Sequence, residues 1–540
     1  LPFVLLAIFY FLSKKINWRH KLANGILLIF LVASLFWTPL VLIWHLGQFP
    51  VWYPGRFSFV LIFFALDLAI IALKQREKIS FWQIGVLILL AIGLIVFITV
   101  DSKSFAFLNQ NAQTASAAFL ALGILFIGFI HNRSNFAAPF FCLIIELELI
   151  VNLVLSLNNL AYQNNADYQN FVQNTKQVTQ YAKDHDDRLY RMEKTFYRSD
   201  DDPFSANYYG LSTFNSISNQ RVLNLLSNLG FVNNSNSYTN YGSTPITDDL
   251  FGVKYYILPN DDITPLKANE QMKYSNSSNR IDTSDYDIVK RFEQLVLMKN
   301  DDALPFLFLT PKSTTKVKFD STDITGNQNK FFEAATGKQT QLFSSVTWPD
   351  PKLINISGWD GGWMQYTKKD KAKEGRVIFN FKPQTDNSYY LELPGDIDND
   401  SISLTVNGNS INTDVRDQNS RLINLGSRQR GQTIHVVFTL KNNQLNLNAA
   451  NLWCLNTKQL EQIMDKFKQK QPQFKQTSAL TIHSNSFSTK KTETMNSTIP
   501  NSFNWLILDN GHIIHKNKIL FMNTFLNFKL NKGTHKITLI

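Results

Sequence analysis

Apolar runs fill the start of the chain and then stop. They cover Leu1–Leu12, Gly25–Leu46, Phe57–Leu73, Phe81–Val100, Ser116–Ile130 and Phe136–Leu157, and no comparable run follows Asn158. A helix crossing the hydrocarbon core of a bilayer needs roughly 17–25 apolar residues. Gly25–Leu46 and Phe136–Leu157 meet that length, and the next three runs meet it with their flanks. Leu1–Leu12 is too short. Its basic residues, Lys14 and Lys15, come after it rather than before, which is the wrong order for a signal peptide. It reads as the tail of a longer helix, so the chain is expected to be a fragment.

Beyond Leu157 the apolar positions recur at helical spacing inside a polar stretch: Tyr168, Phe171, Val172, Thr175, Val178 and Ala182. This predicts a juxtamembrane helix with one packed face, ended by the charged run Lys183–Arg188. An α/β texture follows, with a helix at Gln220–Leu229 and a strand at Val253–Leu258. From Ser344 alternation dominates: Gly375–Phe381, Ser388–Leu393, Ser401–Val406 with Asn407-Gly408 as its turn, and Thr433–Leu440. Alternation with such turns predicts an antiparallel sandwich. A helix is expected at Thr457–Lys470, then strands at Asn504–Leu508, His512–His515, Phe525–Leu530 and Lys536–Ile540. The predicted fold class is a six-segment α-helical transmembrane bundle, its first segment truncated, followed by an extracytoplasmic α/β plus jelly-roll-like β-sandwich domain. The expected divisions are 1–158 (bundle), 159–343 (juxtamembrane helix and α/β region) and 344–540 (sandwich region).

Charge sets the orientation. Cytoplasmic loops carry the Lys/Arg excess of membrane proteins. Lys14, Lys15, Arg19 and Lys21 follow the first run, Lys74, Arg76 and Lys78 the third, and Arg133 the fifth. The alternate turns hold one basic residue each, Arg56 and Lys103. This places the polar bulk outside the cytoplasm. The formal net charge is +11, partly from those loops and partly from Lys scattered over the polar region. A solvated Lys-rich surface and attraction to an anionic surface polymer or lipid are both compatible with it; nucleic acid is excluded as a partner by compartment. The two cysteines, Cys142 and Cys454, lie in different regions. A cysteine-poor exported domain fits the outer face of a Gram-positive cell.

Ionisable groups inside a bilayer are costly and usually face a bundle interior or a wet cavity. Asp67 and Glu148 are such groups. For each, a wall of a substrate cavity and a structural hydrogen bond between helices are both open. Glu146, two residues from Glu148, points to a nearly opposite face. The outer loop Phe49–Phe57 gathers Trp52, Tyr53 and Arg56, with His45 just before it. Arg suits bidentate contact with phosphate, and Trp or Tyr can stack on sugars; an aromatic belt at the headgroup level explains the same residues. Asp396–Ser401 begins like a calcium loop but lacks its glycine and distal glutamate, so it reads as an acidic inter-strand turn.

Several segments, in order, resemble the bacterial YfhO-type membrane proteins, which belong with the GT-C glycosyltransferases. They are Trp52–Phe59, Arg188–Glu193, Ser212–Ser216, Gly242–Tyr256, Ala303–Phe306 and Gly533–Ile537, with Gly242–Tyr256 the most telling. The resemblance implies an enzyme that takes a sugar from a polyprenyl-phosphate carrier, a lipid-linked donor, at the outer leaflet and gives it to a surface polymer such as lipoteichoic acid. It implies a catalytic carboxylate upstream of Leu1 and a last membrane helix after Ile540, and it leaves a divalent metal open. Arg56 is the candidate for the carrier phosphate, with Trp52, Tyr53, His45, Glu148 and Asp67 as further substrate-binding candidates. The non-enzymatic alternative is a membrane-anchored binder of surface glycan.

Overall fold

The computed structural model describes the chain except residues 1, 51, 52, 54, 76–78, 102–107, 132–136, 163, 261–278, 311–316, 359–362, 414–419, 479 and 503, together with the side chains of 128–131, 137 and 138. Trp52 and the loop cations Arg76, Lys78, Lys103 and Arg133 therefore lie outside the described residues. The chain forms two compact units, Leu1–Gln163 and Asn164–Ile540.

The first unit is helical: α1 (Pro2–Leu12), α2 (Trp18–Ala33), α3 (Thr38–Trp44), α4 (Ser58–Lys74), α5 (Phe81–Val100), α6 (Gln110–His131) and α7 (Ala137–Asn158). The short α1 is its best-buried element. Leu5, Leu6, Phe9 and Tyr10 of α1 join Leu68, Ala69 and Ala72 of α4, Leu87 and Ala91 of α5, Leu120 and Ile127 of α6 and Ile144 of α7 in one apolar core. Polar ties reinforce it. The buried Gln83 donates to the Leu12 carbonyl at 2.7 Å, and Asn24 donates to the Tyr10 hydroxyl at 2.6 Å.

Each expected apolar run is helical, but they differ in length. Among the described residues, α5, α6 over Gln110–Ile127 and α7 over Pro139–Asn158 are long and apolar enough to cross a membrane, three in all; α2 with α3 makes a fourth if that bent pair is one span. α4, with 17 residues, stands at the short edge of the roughly 17–25 needed. The single run Gly25–Leu46 read from the sequence is corrected. Its helix begins earlier, at Trp18, breaks after Ala33, and resumes at Thr38 with the axis turned by 93°. Pro39, in the first turn of α3, is the reason: it has no N–H to continue the α2 ladder, and its ring excludes a preceding helical turn. Ser34 completes the stop, its hydroxyl donating back to the Phe30 carbonyl at 2.8 Å.

The second unit opens with α8 (Asn165–His185), capped by the Asn164 side chain, which accepts from Ala166 N at 2.9 Å. Its buried face, with Phe171, Val172, Thr175, Val178 and Ala182, covers one side of a four-stranded sheet. The strands are β1 (Arg191–Lys194), β2 (Val253–Pro259), β3 (Asp287–Arg291) and β4 (Leu295–Lys299), in the order β1-β2-β4-β3. β1 and β2 are parallel and the other neighbours antiparallel. Helices Gln220–Asn228, Pro245–Phe251, Ile324–Thr336 and Thr457–Lys468 share the core on the other side.

Two β-sandwiches complete the unit. In the first, five strands including Gly375–Phe381 and Ile434–Leu440 face four including Ser388–Leu393 and Asn451–Leu455. Val377, Phe379, Leu391, Leu404, Val436 and Phe438 fill the space between them. The alternating burial of Gly375–Phe381 and Ile434–Leu440 follows the alternation of their sequences. In the second, the sheet containing Phe474–Ser478 and Ile537–Leu539 packs on Phe525–Leu530 and Glu493–Pro500, joined by Leu307–Thr310 from much earlier in the chain. The last strands begin later than expected: Ile507–Asp509 and Ile537–Leu539.

Candidate functional site

In the helical unit the structure gathers three of the expected residues. α3 ends at Trp44, and His45 is its C-cap. Leu46 (φ 54°) and Gly47 (φ 84°) reverse the chain. The His45 ring nitrogen Nδ1 lies 2.7 Å from the Val41 carbonyl, which can only accept, so this nitrogen carries the proton. The buried Phe57 links the two ends of the connection. It stacks on Trp44 at 4.7 Å and meets the edge of His45 at 5.8 Å. Tyr53 is exposed, with φ 53°, and Arg56 Nε donates to its carbonyl at 3.3 Å. Arg56 is exposed and sits two residues ahead of the start of α4. The N-cap of that helix, Phe57, offers no side-chain hydrogen bond, and the Ser58 and Val60 N–H groups are bonded to the Gly55 and Phe57 carbonyls. An exposed guanidinium beside this helix start is a local group that attracts an anion.

Asp67 and Glu148 lie elsewhere in the bundle, on α4 and α7. Asp67 is on α4, about 14 Å along the axis from the helix start at Ser58 at 1.5 Å per residue, and it is exposed beside the packed Leu68 and Ala69. Glu148 is half-buried on α7. It follows the buried Ile144 by one turn and precedes the packed Val151, so it lies on the helix's inner face, whereas Glu146 is exposed. Asn152 and Ser156, four and eight residues after Glu148 and so on its side of the helix, are exposed. Asn159 accepts from Asn109 at 3.1 Å.

The second unit contains charge clusters that sequence reading missed. Asp186, just past α8, accepts from Arg188 Nε at 2.7 Å and Nη2 at 2.9 Å, from Lys254 Nζ, and from the Tyr255 hydroxyl at 3.1 Å. Burial alone would raise its carboxyl. The hydrogen bonds from Arg188 and Lys254 outweigh that and hold it well below the ordinary carboxylate range. Deeper in, Arg280 Nη2 meets Asp248 Oδ2 at 2.5 Å and Nε meets Asp282 Oδ1 at 2.7 Å. The Tyr256 and Tyr286 hydroxyls donate to Asp248 and that of Tyr390 to Asp282, at 2.7–2.8 Å. All these groups but Tyr286 are fully enclosed, so this network ties the sheet to the first sandwich rather than meeting a substrate.

Three of the segments that carry the family resemblance meet here. Arg188–Glu193 and Gly242–Tyr256 supply the adjacent parallel strands β1 and β2, with Met192 opposite Tyr255. Leu304, from Ala303–Phe306, donates its N–H to the Asp249 carbonyl at 2.9 Å. Phe306 lies under the Arg191 guanidinium at 4.0 Å. Thr244, the N-cap just ahead of Pro245, forms a capping box with Thr247, and Gly252, left-handed at φ 72°, closes the helix Pro245–Phe251. These segments therefore build a keystone of the fold.

Among the described residues no group of three His, Cys, Asp or Glu side chains is arranged to hold a metal ion. Asp398 accepts from Asp400 N, Ser401 N and Ser401 Oγ at 3.1, 2.9 and 2.8 Å, an acidic turn closed on itself. No curated protein matches the chain at a significant level. The family model described as bacterial membrane protein YfhO matches residues 1–540, the full extent of the sequence, and the chain belongs to that family.

Proposed function

We propose that this protein is a glycosyltransferase that takes a sugar from a polyprenyl-phosphate carrier and transfers it to a polymer at the outer face of the membrane, lipoteichoic acid being the expected acceptor. Family membership supports the reading, and the arrangement at Arg56 carries it: an exposed guanidinium just ahead of an apolar helix, with Tyr53 exposed next to it. Such a place suits a phosphate whose lipid tail lies along the bundle. In this reading Arg56 contacts the carrier phosphate, His45 and Tyr53 border it, and Glu148 shapes the interior. The unit Asn164–Ile540 faces outward, in keeping with the basic residues Lys14, Lys15, Arg19 and Lys21 between α1 and α2 on the opposite side. No catalytic carboxylate is assigned to a residue of this chain.

The test uses membranes bearing the full-length protein, a polyprenyl-phosphate sugar and the polymer. Arg56→Ala should lower transfer about 10- to 100-fold, as loss of a hydrogen bond to a charged group costs about 1.5–3 kcal/mol. A deletion strain with no close paralogue that still glycosylates its polymer as the wild type does would refute the proposal. The glycan-binding alternative draws on the two sandwiches of the second unit; it requires polymer binding with no transfer in the same membranes.

A further inference from the structure

The second unit has a cavity of about 670 Å³ between the end of α8, β1 and the loop that follows β1. That volume falls in the range of small-molecule sites, about 300–1,000 Å³. Its wall and its rim differ in character, and the difference points to a ligand.

Tyr190 and Tyr208 form part of the wall. Each is 8 % exposed, and neither hydroxyl has a hydrogen-bond partner among the described residues. Buried hydroxyls are normally paired, since an unpaired one costs about 1–3 kcal/mol. At the rim the pattern reverses. Phe204 is 76 % exposed and Tyr209 is 48 % exposed, two aromatic faces turned to solvent beside a polar cleft. Tyr209 is braced rather than loose: its hydroxyl donates to the Gln476 side chain and its ring meets Phe306 edge-on at 6.1 Å.

The two carboxylates at the cavity are already matched. Asp186 is held by Arg188 and Lys254, Asp187 pairs with Lys475, and Lys183 donates to the Asn207 carbonyl. A bare phosphate would compete with Asp186 and Asp187 for Arg188, Lys254 and Lys475. A ring with many hydroxyls would not. It could lay its apolar C–H face on an aromatic side chain and take hydrogen bonds from the half-exposed Arg188 and from Asn207 and Gln476.

We propose that this cavity binds one pyranose unit of a surface carbohydrate, with Tyr209 and Phe204 as stacking platforms and Arg188, Asn207 and Gln476 as hydrogen-bonding groups. The site deepens the glycosyltransferase reading, which makes a glycosylated polymer the product, and rests on it for the source of the sugar.

The test measures binding to the full chain in nanodiscs with no lipid-linked donor present. The probes are methyl glucoside, methyl galactoside, methyl N-acetylglucosaminide, and poly(glycerol phosphate) with and without glycosyl substituents. Expected are saturable binding of at least one pyranoside, preference for the substituted polymer, and a fivefold or greater weakening in Tyr209→Ala and in Phe204→Ala. Tyr209→Phe, which keeps the ring, should retain most of the affinity. Thermal unfolding of each variant verifies folding; if Tyr209→Ala fails to fold, Phe204→Ala, at a mostly exposed position, decides. Equal binding of bare and substituted polymer, no binding of any pyranoside, or undiminished binding by a folded variant would overturn the site. Because the assay contains no donor, failure of transfer with pyranoside binding intact rejects the enzyme and leaves the site, and the opposite result rejects the site alone.

Discussion

Glu193 links burial to pH in a way that can be measured. It lies on β1, is 2 % exposed, and accepts from the Leu211 backbone N–H. Gly210 permits this approach: a methyl group there would sit 3.2 Å from the Glu193 oxygen. Burial is the largest influence on the carboxyl, and the opposing Leu211 hydrogen bond and Lys194 charge do not cancel it, so its pKa rises from 4.5 to about 7. A raised folded pKa means that the unfolded chain releases its proton first as pH climbs. The contribution is fully favourable below about pH 4.5, declines between 4.5 and 7, and is lost above that. One pKa unit corresponds to about 1.36 kcal/mol, so the decline totals about 3 kcal/mol for the wild type. Glu193→Gln keeps an acceptor for Leu211 and has no proton to lose. Unfolding of the second unit, followed by denaturant titration of the full chain at pH 4.5 to 8, should show similar stability at the acid end. The variant should become more stable by about 3 kcal/mol above pH 7. Titrations of groups that do not interact with Glu193 are common to both proteins and drop out of the difference, while Asp248, whose charge raises the Glu193 carboxyl, belongs to the measured effect. A wild-type-minus-variant difference that stays flat across this range would refute the reasoning.

Three further outcomes follow from the same geometry. Gly252→Ala places a Cβ 2.5 Å from the Leu304 carbonyl at a left-handed residue; the backbone penalty alone is about 1–2 kcal/mol, and a drop in melting temperature larger than that of alanine at an unstrained glycine should be seen. Asp248→Ala removes the acceptor for Arg280, Tyr256 and Tyr286, which should cost about 3 kcal/mol even with Asp282 still in place, read as a lowered denaturation midpoint. Arg56→Ala, by contrast, should leave unfolding unchanged, because its side chain is exposed; its effect belongs to transfer kinetics.

Local pattern carried much of the fold. Phe525–Leu530 and Gly375–Phe381 are strands over the very residues read from alternation, and Thr457–Lys468 is the expected helix shortened by one turn fragment at its end. In each the period of apolar positions and the flanking breakers agree, so packing had nothing to override. The break in the second apolar run was missed because average apolarity passes smoothly over Ser34–Trp37. The informative residue was Pro39, whose effect is steric rather than hydropathic.

The amino-acid order by itself determined the division into an apolar helical part and a polar, strand-rich part, because both follow from neighbours a few positions apart. Family membership was legible for the same reason, in short segments met in order. Only tertiary structure decided what those segments do. Asp186 and Lys254 are 68 residues apart, and Tyr209 and Gln476 are 267 apart, yet each pair is in hydrogen-bond contact. Pairings of that range depend on how sheets and helices pack, and on which buried charges find partners, and no local period encodes them.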